Sequence, residues 1–526
     1  MMLRRVLIAF LLVSIHLYNV KSEGLSPAST SVFAEEEDYF LHTVERGQTV
    51  YSISKMYNVT VEEIYMLNPG SEEGIKAGAQ LKIPQKSGSY FYHTIQPQET
   101  LYSVSRKYQM KGEDIVSANP GLSIETFTIG KIIRIPTNKV TSPMEGDDNY
   151  NQIMTNSLLY PTLKTDRFKT IRVALLLPIG LKEGTTPKNA ENNRMVEYCE
   201  GFLLALDALK KKGISVDLQI HDIGSGVDLL SNVFKMPSMQ DVHIIIGGLS
   251  NKQIGLISDF SSERNILYVI PFSKNDDPLV YHNVYQINMP SSYLYSKVSN
   301  AFCNKYKDAN IIFYQFGSAN NRSDFVETVK KDLNAKRILY KEVGTSKNIS
   351  ADISKALDDR KNNVIVPVDD GAESLGNLIV PLKSILDAKP QTSISLFGYP
   401  TWQIYSKERT EDFFRLNAIF FSIFYANPTS PKVKSFYSNY QNWYSRELIN
   451  TFPKFGMLGY DTGMYFIQLL YRYGSAYEAN INKLVYDGIQ TDFYFERLNN
   501  WSGFINANVF LIEFSPDFNI VTKGIK

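Results

Sequence analysis

The sequence predicts two kinds of fold in one chain. One is a pair of small α+β modules, each with the order β-α-α-β; the other is a large two-lobed α/β domain with doubly wound parallel sheets. An internal repeat predicts the modules, because the segments that begin at His42 and His93 share one pattern 51 positions apart. From Ile171 onward, buried strands alternate with amphipathic helices, which is typical of a parallel sheet. The alternation restarts at Tyr293, which predicts the second lobe.

Bulk composition limits the possible classes of function. The chain has 526 residues, 44% hydrophobic and 21% charged, which is ordinary for globular domains. Its 55 basic and 54 acidic residues leave a net charge of +1. Nucleic acid is therefore not expected as a partner, because binding it needs a clustered basic surface. Beyond the N-terminus no run reaches the roughly 18 apolar residues of a membrane helix, so the mature chain is predicted to lack a transmembrane span.

The N-terminus predicts a secretory signal peptide over residues 1–22. A basic start precedes a short apolar run, Val6 to Val13, and a small-residue exit follows. A retained anchor is the alternative, since Ile15 to Val20 extends the apolar character. Either interpretation predicts export across the inner membrane to the periplasm or cell envelope. Residues 23–40 are polar and acidic, which predicts a leader arm.

The repeat predicts the same unit at residues 41–85 and 91–137. Each unit opens with a short strand, continues through two helices and ends with a strand that closes on Ile-Pro. In the first copy Thr49 is placed to cap the first helix, and Thr60 with Glu63 forms a capping box for the second. An Asn-Pro-Gly stop follows in both copies.

These motifs resemble the LysM family, whose β-α-α-β modules bind N-acetylglucosamine-containing glycans, above all peptidoglycan. The resemblance implies a sugar groove between the loop after the first strand and the loop before the second. In the first copy the matching positions are Gly47, Gln48, Thr49, Val50, Ile75, Lys76, Ala77 and Gly78. In the second copy they are Gln98, Glu99, Thr100, Leu101, Thr128, Ile129 and Gly130.

The two copies depart from the family pattern at their first loops. Gln48 stands where the family usually has Asp, and Gln98 stands where it usually has Gly. Glutamine has less backbone freedom than glycine, so the second copy is the weaker candidate for sugar binding. The alternative is that one or both copies are spacers or protein-contact modules.

The region after the repeat divides into a linker and a large domain. Residues 138–167 are polar and show neither helical nor strand periodicity, which predicts a linker. Residues 168–526 open with Ile171 to Pro178, a continuous apolar strand of the kind that a parallel sheet buries on both faces. Two such lobes with a cleft between them can close around a ligand by hinge motion.

This region resembles type I periplasmic binding proteins of the branched-chain amino-acid family. The resemblance is carried by four stretches of sequence, which are R-V-A-L-L-L-P, I-I-I-G-G-L-S-N-K-Q, V-I-P-F-S-K-N and F-G-M-L-G-Y-D, the last ending at Asp461. It implies hinge crossings near 286–288 and 420–422. Asp461 precedes an apolar helical pattern that includes Met464, so the sequence favours an N-terminal capping role for it.

The same resemblance implies a ligand cleft between the lobes. Its candidate positions are Ser250, Asn251, Ser273, Lys274, Asp369, Tyr399 and Trp402. The second-lobe loops lack the Tyr and the acid that the family usually has there, so an amino-acid ligand is not supported residue by residue. A scaffold without a ligand, or a cleft for another small molecule or a protein, stays open.

Catalytic chemistry is not expected. Ser52 to Lys55 matches S-x-x-K by chance, since no K-T-G follows in a suitable domain, and the six histidines have no metal-ligand spacing. No cofactor and no metal are predicted. Cys199 and Cys303 are expected to be free thiols, because they lie on helices of different lobes and a bridge would lock the hinge.

Three functional hypotheses follow. The first is a non-catalytic cell-envelope protein that binds peptidoglycan through two LysM modules and presents a ligand-binding two-lobed domain. The second is a peptidoglycan hydrolase or its regulator, with a catalytic site that the motifs do not reveal. The third is a structural envelope protein whose cleft binds nothing.

Overall fold

A computed structural model describes residues 38–86, 88–137, 148–160, 166–180, 190–274, 280–317, 320–344 and 348–525. The predicted signal peptide and most of the leader arm lie outside these residues. None of the described helices is both long enough and apolar enough to cross a membrane.

The first module has the predicted β-α-α-β order. Its elements are β1 (Tyr39–Thr43), α1 (Val50–Tyr57), α2 (Val61–Leu67) and β2 (Gln80–Pro84). Strands β1 and β2 pair antiparallel, with His42 opposite Leu81. The predicted caps are confirmed: Thr49 accepts the Ser52 N–H at the start of α1, and Thr60 forms a capping box with Glu63 at the start of α2.

The second module repeats the architecture. Its elements are β3 (Tyr90–Thr94), α3 (Leu101–Lys107), α4 (Gly112–Ala118) and β4 (Ile132–Pro136). Strands β3 and β4 pair antiparallel, with His93 opposite Ile133. Asn119 ends α4 and bonds across to β4, because its side chain accepts from the Arg134 N–H and donates to the Arg134 carbonyl.

A helix lies within the segment that was expected to lack periodicity. Helix α5 (Asp148–Ser157) packs on the second module, where Asn156 accepts the Tyr102 N–H and Asp148 accepts the Tyr102 hydroxyl. Leu159, just beyond the helix, joins the core of that module. Tertiary contacts therefore stabilise a short helix whose own sequence carries little helical signal.

The described part of the large domain forms two seven-stranded sheets. Its first-lobe elements are β5 (Ile171–Leu177), α6 (Ala190–Lys210), β6 (Val216–Asp222), α7 (Asp228–Phe234), β7 (Ile244–Gly247), α8 (Asn251–Glu263), β8 (Leu267–Ile270) and β9 (Val284–Gln286). The second lobe follows with α9 (Ser291–Lys305), β10 (Asn310–Gln315), α10 (Ser323–Ala335), β11 (Tyr340–Gly344), α11 (Ile349–Ala356), β12 (Asn363–Pro367), α12 (Ala372–Ala388), β13 (Ile394–Gly398), α13 (Ser406–Arg415) and β14 (Ile419–Ser422). The C-terminal elements are α14 (Pro431–Tyr444), α15 (Phe455–Tyr473), β15 (Phe495–Arg497), β16 (Phe504–Asn506), β17 (Val509–Phe514) and β18 (Ile520–Ile525).

Both sheets are mainly parallel, as predicted. The first-lobe sheet has the order β15-β16-β9-β8-β7-β5-β6, and only the β15–β16 pair is antiparallel. The second-lobe sheet has the order β11-β10-β12-β13-β14-β17-β18, with antiparallel pairs at β14–β17 and β17–β18. The antiparallel strands at the sheet edges come from the C-terminal part of the chain, where the sequence pattern predicted no strands.

Within the described residues, the chain passes between the lobes three times. Two passages follow β9 and β14, where the resemblance implied hinge crossings. The third, between β16 and β17, consists of Ala507 and Asn508 and was not predicted. A continuous hydrophobic core extends through both lobes at these passages, and Tyr285 stacks on Phe504 within it at 4.5 Å between ring centroids.

Asp461 does not cap a helix, and the predicted role is wrong. Helix α15 begins at Phe455, so Asp461 lies inside the helix, where it is fully buried. Its carboxylate accepts the N–H groups of residues 489–491 and the Tyr486 hydroxyl at 2.7 to 3.0 Å. It therefore ties the loop at 486–491 to the helix.

The glycines of the F-G-M-L-G-Y-D stretch have a packing role. A Cβ at Gly459 would overlap the Tyr198 carbonyl oxygen on α6, and one at Gly201 would overlap the Gly456 carbonyl oxygen on α15. Side chains here would separate the two helices, so the glycines permit their close approach. Cys199 and Cys303 are both buried free thiols, as predicted, and burial raises the pKa of each.

Candidate glycan and cleft sites

A buried hydrogen-bond network supports the first loop of the first module. Gln48 Oε1 lies 2.8 Å from both the Glu45 N–H and His42 Nε2. Because this oxygen can only accept, His42 donates from Nε2, and its Nδ1 accepts the Tyr57 hydroxyl at 2.8 Å. Burial lowers the pKa of His42, which favours this neutral form.

The second module builds the same network with a carboxylate. Glu99, the counterpart of Gln48, accepts from the Gln96 N–H and from His93 Nε2 at 2.7 Å each, and Tyr108 lies 3.0 Å from His93 Nδ1. Burial lowers the pKa of His93. Burial alone would raise the pKa of Glu99, but the bonds from Gln96 and His93 outweigh it and lower that pKa overall. Both side chains thus hold their loops from inside the module.

The backbone of the two first loops has the same shape. Gly47 and Gln98 both have positive φ, +87° and +68°. Thr49 and Thr100 accept helix N–H groups as caps, and the next residues, Val50 and Leu101, are buried in the module cores. The parts of these predicted site residues left for a ligand are therefore mainly backbone groups.

The second loops are the more exposed half of each predicted groove. Lys76, Ala77 and Gly78 are exposed in the first module, as are Thr128, Ile129 and Gly130 in the second. The Gly78 N–H donates to the Val44 carbonyl and the Gly130 N–H to the Ile95 carbonyl, which joins each second loop to the end of the first strand. Structure thus brings the two loops of each module together, as the family resemblance implied.

The surroundings of the modules differ. Gly47 faces helix α9 of the second lobe, where a Cβ on Gly47 would come within 2.9 Å of the Tyr293 Cα. The Ile75 carbonyl accepts from Lys331 Nζ of α10 at 3.0 Å. Their counterparts in the second module have no such neighbours from the second lobe among the described contacts.

Trp501 joins the modules to the large domain, and the sequence did not predict it. It comes from the turn between β15 and β16, is only 3% exposed, and belongs to the core of the first module. Its ring lies 6.1 Å from Tyr57 and 5.7 Å from Tyr92, and the Arg134 guanidinium lies 4.7 Å from its centroid. The adjacent Asn500 carbonyl accepts the Gly121 N–H at 2.7 Å. Trp501 is hundreds of residues from its partners in the modules, so no local sequence pattern could have predicted this contact.

An open groove of about 430 Å³ lies beside this junction. Both modules and the 497–501 turn line it, and the exposed loop residues Thr128, Ile129 and Gly130 form one wall. Lys131 and Glu45, one from each module, form an ion pair of 2.6 Å at its edge. The second loop of the second module is therefore accessible from an open groove lined by both polar and apolar groups.

The first-lobe cleft residues follow their strands as predicted. Ser250 caps α8 by accepting the Gln253 N–H at 3.3 Å, and Asn251 begins that helix and is exposed. Ser273 is partly buried, whereas Lys274 keeps solvent contact. Desolvation and the positive charge of Arg322 lower the pKa of Lys274. A cation from the second lobe therefore acts electrostatically on this first-lobe lysine.

The second-lobe cleft residues turn inward. Tyr399 and Trp402 are fully buried, so neither side chain presents a surface to the cleft. Tyr399 donates to the Pro367 carbonyl, and the Trp402 indole packs on Gly398 and donates to the Asp370 carbonyl at 3.2 Å. Asp369 accepts the Gly371 N–H at 3.1 Å.

Arg322 and Asp370 are charged residues of this region that the sequence interpretation missed. The guanidinium of Arg322 pairs with the Asp370 carboxylate at 2.5 Å, and the Thr401 hydroxyl donates to the same carboxylate. The motif D-D at 369–370 was visible in the sequence, but its partner lies 48 residues away.

The geometry gives no support to the serine-enzyme motif. Ser52 Oγ donates to the Thr49 carbonyl and accepts the Thr49 N–H, so it is occupied as part of the helix cap. Across the described ranges, no three His, Cys, Asp or Glu side chains are grouped as metal ligands.

Comparison with known proteins identifies LysM domains at residues 42–84 and 93–136. A relative named "Putative sporulation-specific glycosylase YdhD", from Bacillus subtilis (strain 168), is 33% identical over 98 residues, which are 19% of this chain. This match covers 22% of the length of that relative.

Solved structures resemble the large domain in fold alone. A "putative branched-chain amino acid ABC transporter" from Rhodospirillum rubrum aligns with 67% of this chain and 100% of its own, at 14% identity and a TM-score of 0.49. A branched-chain amino acid ABC transporter periplasmic ligand-binding protein from Burkholderia xenovorans LB400 aligns with 68% of this chain and 96% of its own, at 12% identity and a TM-score of 0.43.

Two identifications follow from the sequence match and the sheet topology. Residues 42–84 and 93–136 are two LysM domains, and the chain carries them on a two-lobed α/β domain whose sheets are mainly parallel.

Proposed function

We propose that this protein is a non-catalytic component of the cell envelope that binds N-acetylglucosamine-containing glycan, above all peptidoglycan, through its LysM domains. The observation that carries the proposal is the pairing, in each LysM domain, of a first loop held from inside with an exposed second loop. The two-lobed domain would then present a ligand cleft or a docking scaffold at the wall.

The loop chemistry suits an acetamido sugar. Backbone N–H and C=O groups at turns can bond the acetamide, and an apolar side chain beside them can contact its methyl group or the sugar ring. Ile129 supplies such a side chain, because it is 66% exposed on the second loop of the second domain.

Titration of the full mature chain with an N-acetylglucosamine tetramer tests this proposal. An I129D variant should lose at least tenfold in affinity at the second domain, since it places a charge where the sugar face is expected. I124D is the matched control: Ile124 is 44% exposed and lies outside the predicted site positions, so its substitution should leave the affinity unchanged. Equal affinity of I129D and the unsubstituted protein would contradict the placement of the site.

The cleft of the two-lobed domain is proposed to serve a ligand other than a free amino acid. Tyr399 and Trp402 are buried. The Asp370 carboxylate is already shared by Arg322 and Thr401, and the Asp369 carboxylate is buried and accepts the Gly371 N–H, so neither of these two acids presents an open carboxylate to an amine. A thermal-shift screen of the full chain against amino acids, peptides and sugars tests this, because a specific ligand raises the unfolding temperature. Stabilisation by one amino acid alone would overturn the proposal.

A catalytic alternative has one observation in its favour, the glycosylase name of the Bacillus subtilis relative. The match covers too little of that relative to carry its activity to this chain. Zymography on peptidoglycan separates the alternatives: a cleared band at the mass of this protein would establish hydrolysis, whereas an intact substrate would favour the binding role.

A further inference from the structure

We propose that the second lobe plugs the glycan groove of the first LysM domain. In the docked chain, the second LysM domain is the one that captures glycan, and the first binds glycan only when it leaves the second lobe. This inference rests on the proposed function, since it assumes that the LysM loops bind sugar.

Helix α9 contacts the first loop of the first LysM domain. Arg46 donates to the Ser296 carbonyl at 3.2 Å, and its guanidinium lies 3.7 Å from the Asp332 carboxylate of α10. Beside it, Tyr293 lies so close that a Cβ on Gly47 would be 2.9 Å from both its Cα and its ring. A sugar at Gly47 would therefore have to displace Tyr293.

Helix α10 contacts the second loop. Lys331 Nζ donates to the Ile75 carbonyl at 3.0 Å, and a Cβ on Gly74 would lie 3.3 Å from the same nitrogen. Helices α9 and α10 are bonded to each other, because the Ser299 hydroxyl donates to Asp332 at 2.7 Å. One rigid helix pair thus reaches both walls of the groove.

The second LysM domain is not covered in this way. The counterparts of Arg46 and Gly47 are Pro97 and Gln98, which are exposed, so the cation that binds the second lobe has no equivalent. Helix α5 does contact this domain, but it bonds to Tyr102 on α3 and leaves residues 97–98 and 128–130 exposed.

The plug is suited to release. The Arg46–Asp332 pair is 41% and 26% exposed, and ion pairs of this kind are weak in water. Lys76, Ala77 and Gly78 stay exposed next to the covered Ile75, so glycan has a point of entry beside the plug. Because sugar and second lobe would use the same loops, binding of one excludes the other.

Stoichiometry tests the proposal. Titration of the full chain with an N-acetylglucosamine tetramer should give one site per chain. The double variant Y293A/K331E leaves both LysM sequences intact and removes the plug, so it should give two sites. K336E is the matched control: Lys336 also lies at α10, but it bonds to Asn300 and Asn304 and should keep one site.

A second variant assigns the sites. I129D should abolish binding in the otherwise unsubstituted chain and should leave one site in the Y293A/K331E background. Two sites in the unsubstituted chain, or one site in both, would overturn the plug while leaving the proposed function intact. An absence of binding in every variant would refute the proposed function and the plug together.

Discussion

Trp501 offers the sharpest perturbation, because one side chain from the large domain completes the core of the first LysM domain. We predict that W501A detaches the LysM pair from the large domain. The ring is 3% exposed, and a buried aromatic side chain removes some 150 to 250 Å² from water. At about 25 cal/mol per Å², its transfer contributes roughly 4 to 6 kcal/mol as an upper bound.

Two further considerations bring this estimate to a working value. Measured Trp-to-Ala changes in cores cost about 3 to 5 kcal/mol. The cation–π contact with Arg134 adds about 1 kcal/mol or more, because that guanidinium is itself largely desolvated. We therefore expect a loss of about 4 kcal/mol, concentrated at the junction.

Calorimetry of the full chain is the assay. W501A should separate a low-temperature transition of the LysM pair from the main transition, and limited proteolysis should cut between residues 137 and 171. W443A is the matched control, because Trp443 is 58% exposed and its loss should change neither readout. A W501A profile identical to that of W443A would refute the reasoning.

Three further predictions concern single residues, each read by equilibrium unfolding. Q98G should stabilise the second LysM domain by about 0.5 to 1 kcal/mol, because Gln98 has a φ of +68° that glycine adopts without strain. G47A should destabilise the first LysM domain by about 1 to 3 kcal/mol, because alanine is strained at this positive φ and its Cβ meets Tyr293. Changes of equal size in the two variants would contradict the difference in the surroundings of the two loops. The pKa values of His93 and Glu99 are both lowered by folding, so the stability that these two groups contribute is fully present above pH 6.5. Acidification removes it in two steps, the first below about 6.5 as His93 is protonated and the second below about 4.5 as Glu99 is protonated. E99Q should remove the second step and enlarge the first, because the Glu99 carboxylate partly offsets the lowering of the His93 pKa by burial; an unchanged acid profile would disprove the assignment. D461N should cost at least about 3 kcal/mol, because an amide cannot accept all four hydrogen bonds of the buried carboxylate; a change below 1 kcal/mol would show that the 486–491 loop is held by other contacts.

The sheets were predictable because their strands are buried on both faces and form continuous apolar runs, such as Ile171 to Leu177. The LysM caps were predictable because a cap depends on residues three positions apart, as at Thr60 and Glu63. Helix α5 was missed, since its stability comes from contacts with Tyr102 and Gly112 rather than from its own pattern.

The site was harder to predict than the fold. An aromatic residue in a loop after a strand looks the same in sequence whether it lines a cleft or fills a core, which is why Tyr399 and Trp402 were expected in the cleft. Gln48 and Glu99 were assigned to the groove by resemblance, but their side chains face His42 and His93. Contacts between distant segments, such as Trp501 with Tyr92, depend on domain packing that no local pattern encodes.

The central claim is that the chain is held at the wall by glycan. Co-sedimentation of the full mature chain with insoluble peptidoglycan tests it most directly, with N-acetylglucosamine oligomers added as competitor. The account predicts that the protein pellets with the peptidoglycan and that the oligomers return it to the supernatant. Protein that stays in the supernatant without competitor, or that pellets equally with and without oligomers, would contradict the claim.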